Sequence, residues 1–141
     1  MTTTAVEILL IEDSHQDAEL AIRALKKSNL ANHLLHLEDG QDAIDYLFDD
    51  NNEMPRLILL DLKMPKVDGL EVLRRLKGDP VKRTIPVVVL TSSKEERDIV
   101  ETYKLGVNAY IVKPVDFDQF VKAVTQVGLF WLVLNQAPFK N

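Results

Sequence analysis

The chain has 141 residues, 46% hydrophobic and 28% charged, the size and balance of one globular domain with a sizeable core. Lysine and arginine number 17 against 22 aspartates and glutamates, and the net charge of −5 argues against general nucleic-acid binding. Cysteine is absent, which excludes disulfides, thiolate metal sites and cysteine nucleophiles. The polar start at Met1 to Ala5 lacks the parts of a secretory leader, and the longest apolar run, Val127 to Leu134, falls short of the roughly 20 residues of a membrane span. A soluble, cytoplasmic protein with no membrane insertion is expected.

In chain order, Val6 to Ile11 is an apolar run that reads as a strand. Ser14 with Asp17 resembles a capping box opening a helix to Ser28, whose inner face carries Ala18, Ala21, Ile22 and Leu25. His33 to Leu37 mixes in polar residues and suits an edge strand, and Ala43, Ile44, Leu47 and Phe48 mark the next helix. Leu57 to Leu60 and Val87 to Leu90 are apolar at every position, as is Ile8 to Ile11, so these three strands should be central with both faces covered. Leu70, Leu73 and Leu76 mark a helix between the last two. Ser93 is expected to cap a fourth helix, ahead of Glu95 and Glu96, with Ile99, Val100 and Tyr103 on its inner face. Ala109 to Val112 reads as a fifth strand, and Phe117, Phe120, Val121 and Val124 as a fifth helix. This alternation predicts an α/β fold, a (βα)5 doubly wound parallel sheet in the flavodoxin-like order 2-1-3-4-5, with ligands beyond the carboxyl ends of the strands.

The residues that follow those strands are chemically selected. Glu12-Asp13, Asp61, Thr91 with Ser92, and Lys113-Pro114 would converge on one pocket at the carboxyl edge. Facing carboxylates from Asp13 and Asp61 repel unless a hard divalent cation lies between them, and Mg²⁺ suits one or two carboxylates plus water. A carboxylate so placed can attack phosphorus if cations neutralise the phosphoryl oxygens, which Lys113 and the metal would do, with the Thr91 hydroxyl as a further donor. Taken singly, each motif has a plainer reading: a charged turn for Glu12-Asp13, a helix cap for Asp61, a solvated loop lysine for Lys113, strand packing for Tyr110. Their joint order favours function for Glu12-Asp13, Asp61 and Lys113, while for Tyr110 the two readings stand level. His15, His33 and His36 lie on different elements without ligand spacing, and Asp49-Asp50 with Glu53 reads as a solvated helix end.

Glu12-Asp13, Asp61-Leu62-Lys63-Met64-Pro65-Lys66-Val67-Asp68-Gly69, Thr91 and Lys113-Pro114 together resemble the receiver domain of two-component response regulators, over about Val6 to Val127. The resemblance implies that Asp61 is the phosphoacceptor, and that Glu12, Asp13, Asp61 and the backbone carbonyl of Lys63 hold Mg²⁺. It implies that Lys113 binds the phosphoryl group and that Thr91 and the aromatic Tyr110 form a switch altering the surface of helix four, strand five and helix five. It implies a sensor histidine kinase as phosphodonor, and the family often has a cis bond before the residue matching Pro114. Lys63 and Ser93 sit where the family tunes dephosphorylation.

The receiver pattern, 1–127, leaves a C-terminal extension, 128–141, with Phe130, Trp131 and Leu132 as an expected interface; the alternative is a tail folded over its own domain. The Phe130-Trp131-Leu132 tail and the lack of an output domain resemble the small stand-alone response regulators of cyanobacterial phytochromes, which implies a homodimer. Competing readings are a phosphate-independent adaptor and a haloacid-dehalogenase-like phosphatase. The latter places its nucleophilic aspartate first in the chain, with a second two positions on, whereas Asp61 comes late and is followed by Lys63. A flavin- or nucleotide-binding module is opposed by the lack of a glycine-rich loop after strand one.

Overall fold

A computed structural model describes residues 6–30, 32–64, 66–114 and 116–134. The elements are β1 (Ile8–Ile11), α1 (His15–Lys27), β2 (Leu34–Leu37), α2 (Gly40–Leu47), β3 (Leu57–Leu60), α3 (Gly69–Lys77), a 3₁₀ turn (Lys82–Thr84), β4 (Val87–Thr91), α4 (Glu96–Lys104), β5 (Ala109–Val112) and α5 (Phe117–Leu129), continued by a π-helical turn (Phe130–Leu134). All strands are parallel, in the order β2-β1-β3-β4-β5. The flavodoxin-like expectation holds, with β1, β3 and β4 central.

The continuous apolar runs follow from burial on both faces. Leu9, Ile11, Ile58, Leu60, Val87 and Val89 point to one side, against Ala43, Ile44 and Leu47 of α2 and Val72, Leu73 and Leu76 of α3. Ile8, Leu10, Leu57, Leu59, Val88 and Leu90 point to the other, against Ala18, Ala21, Ala24 and Leu25 of α1 and Phe120 and Val124 of α5. Helix starts are capped as the sequence suggests for α1, where Ser14 Oγ accepts from the Asp17 N–H, and by Asp39, Asp68 and Asp116 for α2, α3 and α5. Asn29, at φ 58, ends α1 in the left-handed region, with the Leu30 N–H returning to the Leu25 carbonyl.

Several expectations are corrected. The residue preceding α4 is Glu95, which makes no side-chain cap; the Ser93 hydroxyl turns instead to Asp98. The inner face of α4 is polar, burying Asp98 and Thr102, while Val100 and Tyr103 are exposed. Starting the helix at Glu96 sets this phase, and the Asp98 carboxylate is satisfied from the loop before it. Phe117, the first residue of α5, is also exposed, because the turn facing the sheet begins at Phe120. No cis peptide occurs among the described residues, so the Lys113–Pro114 bond is trans.

The tail divides between two surfaces. Leu132 is buried against the α1/α5 core and Trp131 is half-buried beside it, so Leu132 is unavailable as an interface residue. Phe130, Leu129, Val133 and Leu134 face outward. Residues 117–134 are long and apolar enough to cross a membrane by length and composition alone, a continuous run the separate sequence segments did not reveal. Along it Phe120, Val124, Gly128 and Leu132 return to the domain at helical spacing. A β-carbon at Gly128 would lie 2.7 Å from Leu25 and 2.9 Å from Leu30, so the lack of a side chain there lets α5 lie tight on the end of α1. Positions 135–141 lie outside the described residues.

Candidate phosphoryl-acceptor site

Parallel pairing in register carries the strand ends to one edge. The Asp61 N–H donates to the Ile11 carbonyl at 3.0 Å, and the Lys113 N–H to the Thr91 carbonyl at 2.7 Å, and the pairing of β3 with β4 joins these two pairs of segments into one rim. Glu12, Asp13 and Asp61 each offer an oxygen to a group whose members all lie within 4.8 Å of one another. Glu12 and Asp61 are buried whereas Asp13 is exposed, so the cluster opens to solvent on one side.

Lys113 is the cation inside this cluster. Its Nζ lies 2.6 Å from Glu12 Oε1, 2.7 Å from Asp17 Oδ2 and 3.6 Å from Asp61 Oδ2. Burial by itself depresses the ammonium, but the bonds to Asp17 and Glu12 and the charge of Asp61 outweigh it and raise Lys113 above the ordinary lysine range. Burial pushes Glu12 up from 4.5 to about 8; Lys113 opposes that rise and Asp61 adds to it. Asp61 Oδ1 is buried without a hydrogen-bond partner, an arrangement a native protein keeps where another ligand completes it. A hard cation flanked by oxygen donors fits that orphaned acceptor and the two acids beside it.

Thr91 is fully buried at the end of β4, and its hydroxyl oxygen faces the Ser93 N–H at 3.4 Å. Tyr110, on the edge strand β5, donates its hydroxyl to the Ser93 carbonyl at 2.9 Å. Ser93 Oγ donates to Asp98 Oδ2 at 2.6 Å, and Lys63 Nζ stands 3.6 Å from that same oxygen. One loop thus joins Thr91, Tyr110, α4 and the residue two beyond Asp61. His36 bonds the Glu12 carbonyl through Nε2 at 2.8 Å, while His15 lies outside with Glu38 and His33 is exposed. The first turn of α3 holds the loop after Asp61 from below, the Gly69 N–H donating to the Leu62 carbonyl at 3.0 Å.

The structure brings Glu12, Asp13, Asp61 and Lys113 together as expected, with Thr91 and Tyr110 joined to them through the β4–α4 loop. Two participants escaped sequence reasoning. Asp17 reads as half of a capping box, yet its carboxylate bonds Lys113 rather than the helix start; its partner is 96 residues away, beyond any local signal. Asp98 draws no reading from the sequence, and only the packing of α4 shows it buried.

A parallel five-stranded sheet of this order, with an acid cluster, a hydroxyl and a lysine at its carboxyl edge, defines a phosphoryl-accepting signalling domain. The chain belongs to the response regulator receiver domain family, which it matches over residues 8–125. It is 43% identical to the response regulator Rcp1 of Synechocystis over 129 residues, 89% of this chain and 88% of that protein. The Mn²⁺-bound structure of Rcp1 superposes with a TM-score of 0.89 at 40% identity, covering 95% of this chain and 99% of that one. The phosphorylated cyanobacterial phytochrome response regulator RcpA gives a TM-score of 0.89 at 38% identity, over 96% of this chain and all of that one (100%). The bacteriophytochrome response regulator RtBRR is 51% identical, with a TM-score of 0.73, over 96% of this chain and 85% of that one. The protein is therefore a receiver-type signalling protein rather than a turnover enzyme, and its acidic pocket is of the kind that takes a divalent cation.

Proposed function

We propose that the protein accepts a phosphoryl group on Asp61 from the phosphohistidine of a sensor histidine kinase, of the phytochrome class by its likeness to RcpA and RtBRR. The observation that carries this is the buried Asp61 carboxylate beside an acid pair, with Oδ1 unpartnered and Oδ2 3.6 Å from Lys113 Nζ. An Asp61 carboxylate oxygen attacks phosphorus, the P–N bond breaks, and the imidazole leaves with the electron pair. Lys113 neutralises one phosphoryl oxygen, and the Thr91 hydroxyl, turning from the Ser93 N–H, donates to another. Glu12, Asp13, Asp61 and the Lys63 carbonyl would hold Mg²⁺, which supplies charge neutralisation at the remaining oxygens. Transfer and later hydrolysis are catalysed by these same groups.

The readout runs through the β4–α4 loop. When Thr91 turns to the phosphoryl group, Ser93 is released from it, and Tyr110 and Asp98, both bonded to Ser93, carry the change to β5 and α4. A homodimer through α4, β5 and α5 uses the outward Leu129, Phe130, Val133 and Leu134, with Trp131 beneath them. A cytoplasmic location accords with this role.

Acetyl phosphate and Mg²⁺ test the assignment by intact mass. One labile phosphoryl group on the native chain, absent from Asp61→Asn and from a magnesium-free control, is expected. A stable adduct, or labelling that survives Asp61→Asn, rejects Asp61 as acceptor, and no adduct on the native chain leaves the phosphate-independent adaptor. For the dimer, sedimentation of Phe130→Ser and Leu134→Ser chains should show a shift toward monomer; an unchanged dimer places the contact elsewhere.

A further inference from the structure

Lys113 is held by a residue that neither the acceptor chemistry nor the cation requires. Asp17 sits in the first turn of α1, and its Oδ2 reaches Lys113 Nζ at 2.7 Å, while Glu12 Oε1 accepts from a second N–H of the ammonium at 2.6 Å. An ammonium has three N–H donors, so one remains for the Asp61 side, where Oδ2 lies at 3.6 Å. The two carboxylates that anchor Lys113 are not equivalent. Glu12 belongs to the acid group suited to a cation, and a cation there competes with Lys113 for it. Asp17 lies outside that group, so its bond persists when Glu12 turns away. The lysine stem is long and flexible, and the Lys113 side chain is only 9% exposed, so an anchor from a second element decides where its charge stands.

We propose that Asp17 is a positioning residue for phosphoryl transfer: it fixes the Lys113 ammonium so that its remaining N–H faces the oxygen on which the phosphoryl group arrives. The inference rests on the assignment of Asp61 as acceptor and Lys113 as phosphoryl ligand. With acetyl phosphate, Asp61 attacks phosphorus, the P–O bond to the acetyl carboxylate breaks, and acetate leaves with the electron pair. Lys113 keeps its protons throughout. Asp17 touches neither the donor nor the metal group, so its removal should lower the maximal rate and leave both half-saturating concentrations alone.

The experiment measures phosphorylation of the full chain by intact mass, with acetyl phosphate and Mg²⁺ varied, for the native protein, Asp17→Ala, Asp17→Asn, Lys113→Ala and the Asp17→Ala/Lys113→Ala pair. Asp17→Ala should cut the maximal rate by about tenfold or more, as loss of an orienting partner does elsewhere. Half-saturation for acetyl phosphate and for Mg²⁺ should stay within about twofold. Asp17→Asn, which keeps an acceptor oxygen, should recover most of the rate, and the double variant should be no slower than Lys113→Ala alone. Independently of phosphorylation, the Lys113 ammonium resonance in a ¹⁵N-edited NMR spectrum, protected from exchange by its anchors, should vanish in Asp17→Ala.

A faster or unchanged rate in Asp17→Ala overturns the inference, as does an equal loss in the Lys113→Ala background. The Ser14 cap uses the Asp17 backbone N–H and survives the substitution. Should Asp17→Ala fail to fold, Asp17→Ser, which withdraws the oxygen from Lys113, carries the same expectation. No adduct on the native chain overturns the acceptor assignment and this inference together, whereas a normal adduct whose rate ignores Asp17 overturns the inference alone.

Discussion

Gly69→Ala probes how tightly α3 is set against the acceptor strand. Gly69 is the first residue of α3, and a β-carbon there would stand 2.7 Å from Leu62 Cα and closer still to the Asp61 carbonyl oxygen. Carbon atoms pack best at about 3.5 to 4.0 Å, so one backbone segment must retreat by about 0.8 Å or more. Two effects oppose each other. Alanine in place of glycine gains up to about 1 kcal/mol inside a helix, and less at its first residue. Overpacking costs about 1 to 3 kcal/mol, toward the upper end here because the atoms met are backbone and cannot rotate aside. The clash wins, with a net loss of about 2 kcal/mol. Gly78 supplies the internal control: it follows α3 at φ −81, and its β-carbon would stand 3.3 Å from the Arg74 carbonyl oxygen. Gly78→Ala should therefore be neutral or gain about 0.5 kcal/mol. Urea unfolding of both variants with an unchanged slope reads the difference. The same clash pushes on the residue that carries the acceptor, so Gly69→Ala should also be phosphorylated more slowly by acetyl phosphate. A Gly69→Ala chain as stable as the native one, or equal losses in both variants, would refute the reasoning.

Asp61→Asn removes one of the crowded buried charges, so in chelator it should raise unfolding stability by about 1 to 2 kcal/mol while abolishing phosphorylation; a less stable variant contradicts the repulsion described here. Glu12 ionises near 4.5 when unfolded and about 8 in the folded chain, so between those values the folded state holds a proton that the unfolded state has released. Its contribution is fully present below 4.5 and is lost as pH rises through about 8; in chelator, denaturant midpoints should fall across that window, and Mg²⁺ should diminish the fall. Asp98→Ala leaves the Ser93 hydroxyl without its acceptor at a buried position and should cost about 1 to 3 kcal/mol. Lys63→Ala should cost less than about 1 kcal/mol in the same melts, because the lysine side chain is 58% exposed. Equal losses would mean that the exposed ion pair, not the buried hydroxyl bond, holds the loop.

Much of the site was legible because strand ends are local signals. An apolar run followed by Glu12-Asp13, another by Asp61, another by Thr91 and another by Lys113 places each group at the same edge once the sheet is parallel and in register. Side-chain direction was less legible. Asp17 and Asp98 are both acids in a helical first turn, the position where the dipole favours them, and no local feature separates the one that bonds Lys113 or the one that is buried from a solvated neighbour. The phase of α4 was misread for a related reason: Val100 and Tyr103 carry the apolar character, but Asp98 and Thr102 carry the satisfied hydrogen bonds that let a polar face go inward.

Periodicity and strand-end chemistry by themselves determined the class of fold, the central strands, the capped start of α1 and the identity of the acid, hydroxyl and lysine set. These depend on neighbours in sequence, whose spacing is fixed by the backbone. Tertiary structure alone decided which carboxylates share Lys113, which acid is buried beneath the β4–α4 loop, and which tail residues fold back, as Leu132 does, or stay outward, as Phe130 does. Those outcomes turn on distances between segments far apart in the chain. Burial then converts each distance into an energy, because a charge removed from water is tolerated only where a partner from another element has come within reach.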